Sequence, residues 1–303
     1  MDVCFYEAFE EEAATLRRHL PSRIRAGFTW KTIQEAGETA PPARLISIRT
    51  QSLVPPSWFE RLDGLLARTT GYDHLVELPI PCGYLPLYCH RAVAEQAMLL
   101  WMALLRKLPQ QIAQFPRFHR DGLTGAECAG KNLLVVGVGH IGAEVVKIGC
   151  GLGMNVRRVD IIPERADTPI EEGLPWADII VCAMSLNQGN RGYFSYQRLQ
   201  QARPGVLFVN IARGELSPTA DLVRLLDEGR LGGVALDVYE NESALATALR
   251  SGKGSFPLLG RPNVILTPHN AFNTQEAVER KSIQSVQQIE HFLKHRCFLW
   301  PAP

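Results

Sequence analysis

The chain has 303 residues, beyond the roughly 250–300 at which a single core stops growing, and this points to two domains. Hydrophobic residues make up 46%, charged residues 21%, and the net charge is +1, which argues against a disordered chain and against a basic surface built for nucleic acid or an anionic membrane. The seven cysteines are odd in number and scattered, with no C-x-x-C, which speaks against a disulfide framework or a zinc site and for reduced thiols in a cytoplasm.

The opening "MDVCFYEAFEEE" lacks the basic and apolar regions of a signal peptide. Short β-branched runs then alternate with helical patterns: "DVCFY" with "EEEAATLRRHL", and "RLISIRT" with "PPSWFERL". The run "AVAEQAMLLWMALLRKL", residues 92–108, is apolar on nearly every face and predicts a buried helix between domains or subunits. Its most apolar part, Ala97–Leu105, is about half the length of a spanning helix. Residues 109–130 have no clear period and read as a long connector that could reach a partner subunit. Beyond residue 130 the rhythm sharpens into "NLLVVG", "VRRVDI", "ADIIVCAM", "GVLFVNIA", "GGVALDV" and "NVILTP", the pattern of a doubly wound parallel sheet. A helix over 218–228 is expected, with Ser217 as cap, Pro218 at its first position and Gly229 past its end. The C-terminal "TQEAVERKSIQSVQQIEHFLKH" is amphipathic and could cross back to the first half. These patterns predict a two-domain α/β protein: a Rossmann-like nucleotide domain over 88–270, and a smaller domain from 1–87 and 271–303.

The segment "GVGHIG" spaces Gly137, Gly139 and Gly142 as G-x-G-x-x-G between a strand and a helix. Gly137 permits the tight turn, Gly139 lets backbone approach a pyrophosphate, and Gly142 lets helix and strand pack closely. His140 and Ile141 complete the loop. The next strand ends in Asp160, near the spacing at which an acid binds ribose hydroxyls, which favours NAD over NADP. Arg157 and Arg158 leave a 2′-phosphate open. Methyltransferases carry a similar loop, so the loop alone does not name the chemistry.

Ligands of open α/β sheets bind beyond the carboxyl ends of the strands. There the chain places Arg213, then Asp237 and Glu242, then His269. An arginine fork can grip a carboxylate and polarise a carbonyl. Histidine can give a proton near neutral pH, and a carboxylate beside it orients the ring and favours its protonated form. Glu242 is the candidate partner of His269. The eight histidines show no spacing that suggests a metal centre.

Four motifs, "GVGHIG", "VNIARGE", "ALDVYENE" and "TPHNAF", occur together in this order. With them the chain resembles the D-isomer-specific 2-hydroxyacid dehydrogenases, from "ARTTGYDHL" to "TPHNAFNT". The resemblance implies flavodoxin-like and Rossmann-like domains, NAD as cofactor and a homodimer. It further implies Arg213 as substrate-binding arginine, Glu242 and His269 as the acid–histidine pair, and Asp237 at the nicotinamide amide. Ala212 lies in the cofactor-binding stretch. "GYLPLYCHRAVAEQA" and "HNAF" look like the D-lactate and D-2-hydroxyisocaproate branch, which implies substrate contacts at Tyr88 and Phe272, while "TTGYD" implicates the Thr70 and Gly71 amides. Trp58 is a further candidate for an apolar pocket wall. The chain departs from the family at "MSLN" (Met184–Asn187), at Ser243, and in residues 21–45, which look trimmed.

The expected reaction is therefore NADH-dependent reduction of a small 2-keto acid to a D-2-hydroxy acid. Two alternatives stand beside it. One is a sibling substrate such as phosphoglycerate or glycerate/glyoxylate, for which Arg49 and Arg91 would supply extra positive charge. The other is an NAD-sensing binding protein of corepressor type.

Overall fold

A computed structural model describes residues 1–252 and 254–302. In chain order the elements are β1 (Val3–Phe5), α1 (Glu10–His19), β2 (Ala26–Phe28), α2 (Ile33–Ala36), β3 (Leu45–Ile48), β4 (Gly64–Ala67), β5 (Cys82–Gly83), α3 (His90–Leu105) and α4 (Leu108–Gln114). There follow β6 (Asn132–Val136), α5 (His140–Gly151), β7 (Asn155–Val159), α6 (Ile170–Trp176), β8 (Ile179–Cys182), α7 (Tyr196–Leu199), β9 (Val206–Asn210), α8 (Thr219–Asp227), β10 (Leu231–Leu236), α9 (Glu242–Arg250), β11 (Val264–Leu266) and α10 (Gln275–His295). They fall into two compact units, Met1–Cys89 with Asn273–Pro303, and His90–Phe272. No helix among the described residues is long and apolar enough to cross a membrane.

The first unit holds a parallel sheet in the order β2-β1-β3-β4-β5, the flavodoxin-like sequence of strands. β3 and β4 are buried along their whole length, as expected for strands covered on both faces. Helices α1 and α10 pack together, and α10 also lies against β4. Thr274 starts α10 by accepting the Ala277 amide at 3.2 Å. Trp58, considered above as a pocket wall, is instead a core residue, 1% exposed and packed near Tyr6.

The second unit is a six-stranded parallel sheet in the order β11-β10-β9-β8-β6-β7. The chain leaves β6 first towards β7 and then returns to the other side at β8, so the switch point of the sheet lies between β6 and β8. Helix α3 packs against α5, β9, β10 and β11. It is buried on one side only, since Leu99 and Met102 on it are exposed. Residues 109–130 are not all connector. "LPQQIAQ" forms α4, which buries none of its residues, and for that reason no apolar period marked it.

The expected start of the helix after β9 is displaced. α8 begins at Thr219, and Ser217 gives it no cap. The Ser217 hydroxyl accepts instead from the Asn210 side chain at 2.8 Å, and the Thr219 amide is taken by the Glu240 carboxylate at 2.6 Å. A carboxylate from the next strand-end loop thus does what a local cap would have done.

Candidate active site

The glycine loop lies at the switch point of the larger sheet. Gly137 has φ +89°, and a Cβ there would stand 2.4 Å from the Met184 backbone after β8. A Cβ on Gly142 would lie 1.9 Å from the Gly137 carbonyl oxygen. A Cβ on Gly139 would meet nothing within 4 Å. Two glycines thus close the turn and one leaves space over it. Gly139 also caps α5 without a side-chain acceptor, so the first helical amides have no side chain competing for them. His140 and Ile141 open that helix; His140 is exposed. The cradle suits a pyrophosphate, and the residues present fit a dinucleotide. Gly142→Ala is expected to push α5 off the loop and weaken NADH binding by about tenfold or more. A fluorescence titration with wild-type affinity would refute this.

Asp160 accepts the Val138 amide at 2.6 Å and the Ile162 amide at 2.9 Å, so its carboxylate is tied to the glycine loop. The two arginines that left a 2′-phosphate open have other contacts. Arg157 stacks on Trp176 at 4.4 Å, and Arg158 pairs with Asp167 at 2.8 Å.

The other three strand ends are locked together. After β9, Arg213 donates to the Ala212 carbonyl at 2.9 Å, and Asn210 holds the Arg213 carbonyl at 2.8 Å. The next residue, Gly214, packs on the β10 loop so closely that a Cβ would lie 1.9 Å from the Tyr239 carbonyl carbon. The Tyr239 hydroxyl in turn donates to the Thr267 carbonyl at 2.7 Å. Asp237, 1% exposed, accepts the Asn270 amide at 2.9 Å, the Ala271 amide at 2.8 Å and the Thr267 hydroxyl. Burial raises its pKa, against the opposing pull of those three bonds and of His269. Asp237 therefore holds the loop that carries His269.

His269 sits at φ +49°, the left-handed region, which the neighbouring bonds to Asp237 impose on it. Its Nδ1 meets both Glu242 oxygens, at 2.7 and 2.8 Å. Both side chains are 21% exposed. Glu242 opens α9 behind Asn241, itself at φ +48°. With Nδ1 held by the carboxylate, Nε2 is the ring nitrogen that Glu242 does not engage.

In the first unit, Thr70 donates to the Leu85 carbonyl at 3.2 Å and lies 3.3 Å from the Cys89 sulfur, while Thr69 donates to the Gly71 carbonyl at 2.7 Å. The Tyr88 carbonyl accepts from Arg280 at 2.8 Å, and its side chain is buried. Phe272, in the second unit, is buried as well.

Residues 98–271 match the family described as "D-isomer specific 2-hydroxyacid dehydrogenase, NAD binding domain". The chain is also 30% identical to 2-hydroxyacid dehydrogenase A of Aspergillus oryzae, over 94% of this chain and 89% of that protein. The chain belongs to the D-isomer-specific 2-hydroxyacid dehydrogenase family. This dehydrogenase is likewise 30% identical to the D-2-hydroxyacid dehydrogenase (NAD+) of Lacticaseibacillus paracasei, over 76% of its own length and 74% of the relative's. Its fold matches the solved structure of a D-2-hydroxyisocaproate dehydrogenase with a TM-score of 0.85 and 25% identity, covering 100% of this chain and 99% of that one. The dehydrogenase's NAD-binding domain is thus the sheet that carries Gly137 and Asp160.

Several supporting residues of this dehydrogenase escaped the sequence reading: Asn210, Gly214, Tyr239 and Glu240. Asn210 left a trace as the polar end of an otherwise apolar strand, and Gly214 as a glycine straight after the arginine. Tyr239 and Glu240 stand inside the motif "ALDVYENE", but nothing in it points to their partners Thr267 and Thr219, which are distant in sequence.

Proposed function

We propose that this dehydrogenase reduces a small 2-keto acid to the D-2-hydroxy acid. The observation that carries the reading is the paired contact of His269 Nδ1 with Glu242, which fixes one tautomer and frees Nε2 as proton donor. NADH, held along Gly137–Gly142 with its adenine ribose at Asp160, would supply the hydride. Arg213 would grip the substrate carboxylate and polarise the carbonyl as charge develops on oxygen. His269 would protonate that oxygen, with Glu242 orienting the ring. Asp237 would face the nicotinamide amide with whatever acceptor capacity its loop bonds leave. The Thr70 and Gly71 amides, Tyr88 and Phe272 are proposed substrate contacts on the strength of the motif resemblance. The seven free thiols fit work in a cytoplasm. The same resemblance supports a homodimer, which sedimentation at a one-chain mass would rule out.

The test is NADH oxidation with pyruvate, 2-ketoisocaproate, phenylpyruvate, oxaloacetate, glyoxylate and hydroxypyruvate. Turnover of an unbranched or apolar keto acid supports the reading; NADH binding with no reduction of any panel member sinks it. NADH is expected to outperform NADPH, because a 2′-phosphate would meet the Asp160 carboxylate. Asp160→Asn should shift the NADPH/NADH ratio of kcat/KM upward by about tenfold. An unchanged ratio would remove Asp160 from the ribose site.

A further inference from the structure

The smaller unit buries a charge cluster that the reaction above does not use. Glu12 on α1, Arg68 after β4 and Lys281 on α10 have no exposed side-chain surface. The Glu12 carboxylate meets Arg68 Nε at 2.8 Å and Lys281 Nζ at 2.9 Å. Arg68 also donates to the Ser47 hydroxyl at 2.9 Å and the Tyr6 carbonyl at 2.7 Å. Arg49, after β3, bears on both Glu12 and Lys281. Glu7, after β1, accepts the amides of Arg49, Gln51 and Ser52 at 3.0–3.1 Å. The Phe9 and Tyr88 rings lie 4.9 and 5.9 Å from Lys281 Nζ.

Three cations thus bear on the single carboxylate of Glu12, while Glu7 is taken up by backbone amides. A structural role needs only one cation for Glu12, and Arg68 supplies it through a better-connected geometry. Lys281 is surplus, in a place where a methionine of similar length would suit the core. The surplus lies at the carboxyl ends of β1, β3 and β4, the switch point of a sheet of this order, where such folds receive ligands. The next residues after Arg68 are Thr69, Thr70 and Gly71, and Tyr88 is followed by Cys89, which touches Thr70.

We propose that Lys281, with Arg49 and Arg68 beside it, is a positioning and specificity-determining residue that makes the Thr70–Gly71 loop receptive to the substrate's carboxylate. This rests on the reading of the preceding subsection. Lys281 touches no reacting atom. Its charge biases the loop towards anions and against neutral ketones.

The ionisation of Lys281 makes the proposal measurable. Burial lowers its pKa to about 7, with Arg49 and Arg68 adding to the shift and Glu12 opposing it. The same cations overcome the burial of Glu12 and hold its carboxyl down to about 2. Glu12 stays ionised throughout the working range, while Lys281 changes charge near neutrality. Tyr88, driven up by its burial, stays neutral. Lys281 is protonated below pH 7 and neutral above it, so the carboxylate should be held best on the acid side.

The experiment is KM and kcat for the best keto acid from pH 6 to 9, in the wild type, Lys281→Met and Lys281→Arg, with thermal unfolding as a check of folding. The wild-type KM should rise about tenfold through this range. Lys281→Met should show the high KM at every pH, and Lys281→Arg, whose charge is permanent, a low and flat one. The kcat profile should be shared by all three. Wild-type KM profiles in the arginine variant overturn the proposal, even if the methionine variant fails to fold. A wild type that reduces no 2-keto acid overturns the underlying reading, and this inference with it.

Discussion

Replacing His269 by alanine is expected to lower kcat/KM by about 10²–10⁴-fold while leaving NADH affinity unchanged. The loss should be chemical and not structural. The loop that carries the imidazole is held by Asp237 through the Asn270 and Ala271 amides, and those bonds survive the substitution. Alanine removes the proposed proton donor and leaves Glu242 with nothing to orient. Glu242→Gln is the companion variant. It keeps an acceptor for Nδ1 but removes the charge that steadies the imidazolium, so a smaller loss of about tenfold is expected. Steady-state rates and a fluorescence titration with NADH separate the two steps. If His269→Ala keeps wild-type turnover, the proton comes from elsewhere and the assignment is wrong. If it loses NADH binding too, the imidazole is a structural part of the loop.

The second large effect is expected from a glycine without chemistry. Gly214→Ala should cut kcat/KM by about 100-fold, because a displacement of about 1 Å at a reacting group is worth that much. A Cβ at Gly214 would stand 1.9 Å from the Tyr239 carbonyl carbon and 2.3 Å from the Glu240 nitrogen, and backbone cannot swing aside as a side chain can. Either Arg213 moves with its glycine or the β10 loop gives way. The second movement reaches His269, because Tyr239 is tied to the Thr267 carbonyl and Glu242 follows two residues after Glu240. Stability should fall by about 1–3 kcal/mol, the usual penalty of overpacking. NADH affinity should fall far less than kcat/KM, since the glycine loop follows β6, which β8 separates from β9 in the sheet, and of the proposed cofactor contacts only Ala212 and Asp237 lie on the displaced loops. Unaltered kinetics in a folded variant would show that the two loops are not mechanically coupled.

The sequence alone made the second unit's sheet legible, because most of its strands are short apolar runs bounded by turn residues, and the central β6, β8 and β9 are buried along nearly their whole length. It also made the glycine loop legible, because a Cβ at Gly137 or Gly142 is sterically excluded. The pairing of His269 with Glu242 was readable from strand-end position, since residues just past adjacent parallel strands converge. β9, β10 and β11 are adjacent in that way.

Other features depended on competition between distant groups. Ser217 looks like a helix cap, but the Asn210 amide claims its hydroxyl and Glu240 takes the Thr219 amide. Trp58 could have lined a pocket, and only the packing of the smaller sheet puts it in the core. α4 carries no apolar stripe because it buries nothing, so periodicity had no signal to offer. Lys281 reads in sequence as one polar position on an amphipathic helix. That it lies buried against Glu12, Arg68 and Arg49 follows from α10 packing on α1, a contact between residues more than 250 positions apart. Local patterning, then, determined the strands, the glycine turn and the family motifs of this protein, because those are set by sterics and by burial periods of a few residues. The charges that meet in its interior were decided by tertiary structure, because Coulomb energies and desolvation depend on distances through space that no run of neighbouring residues encodes.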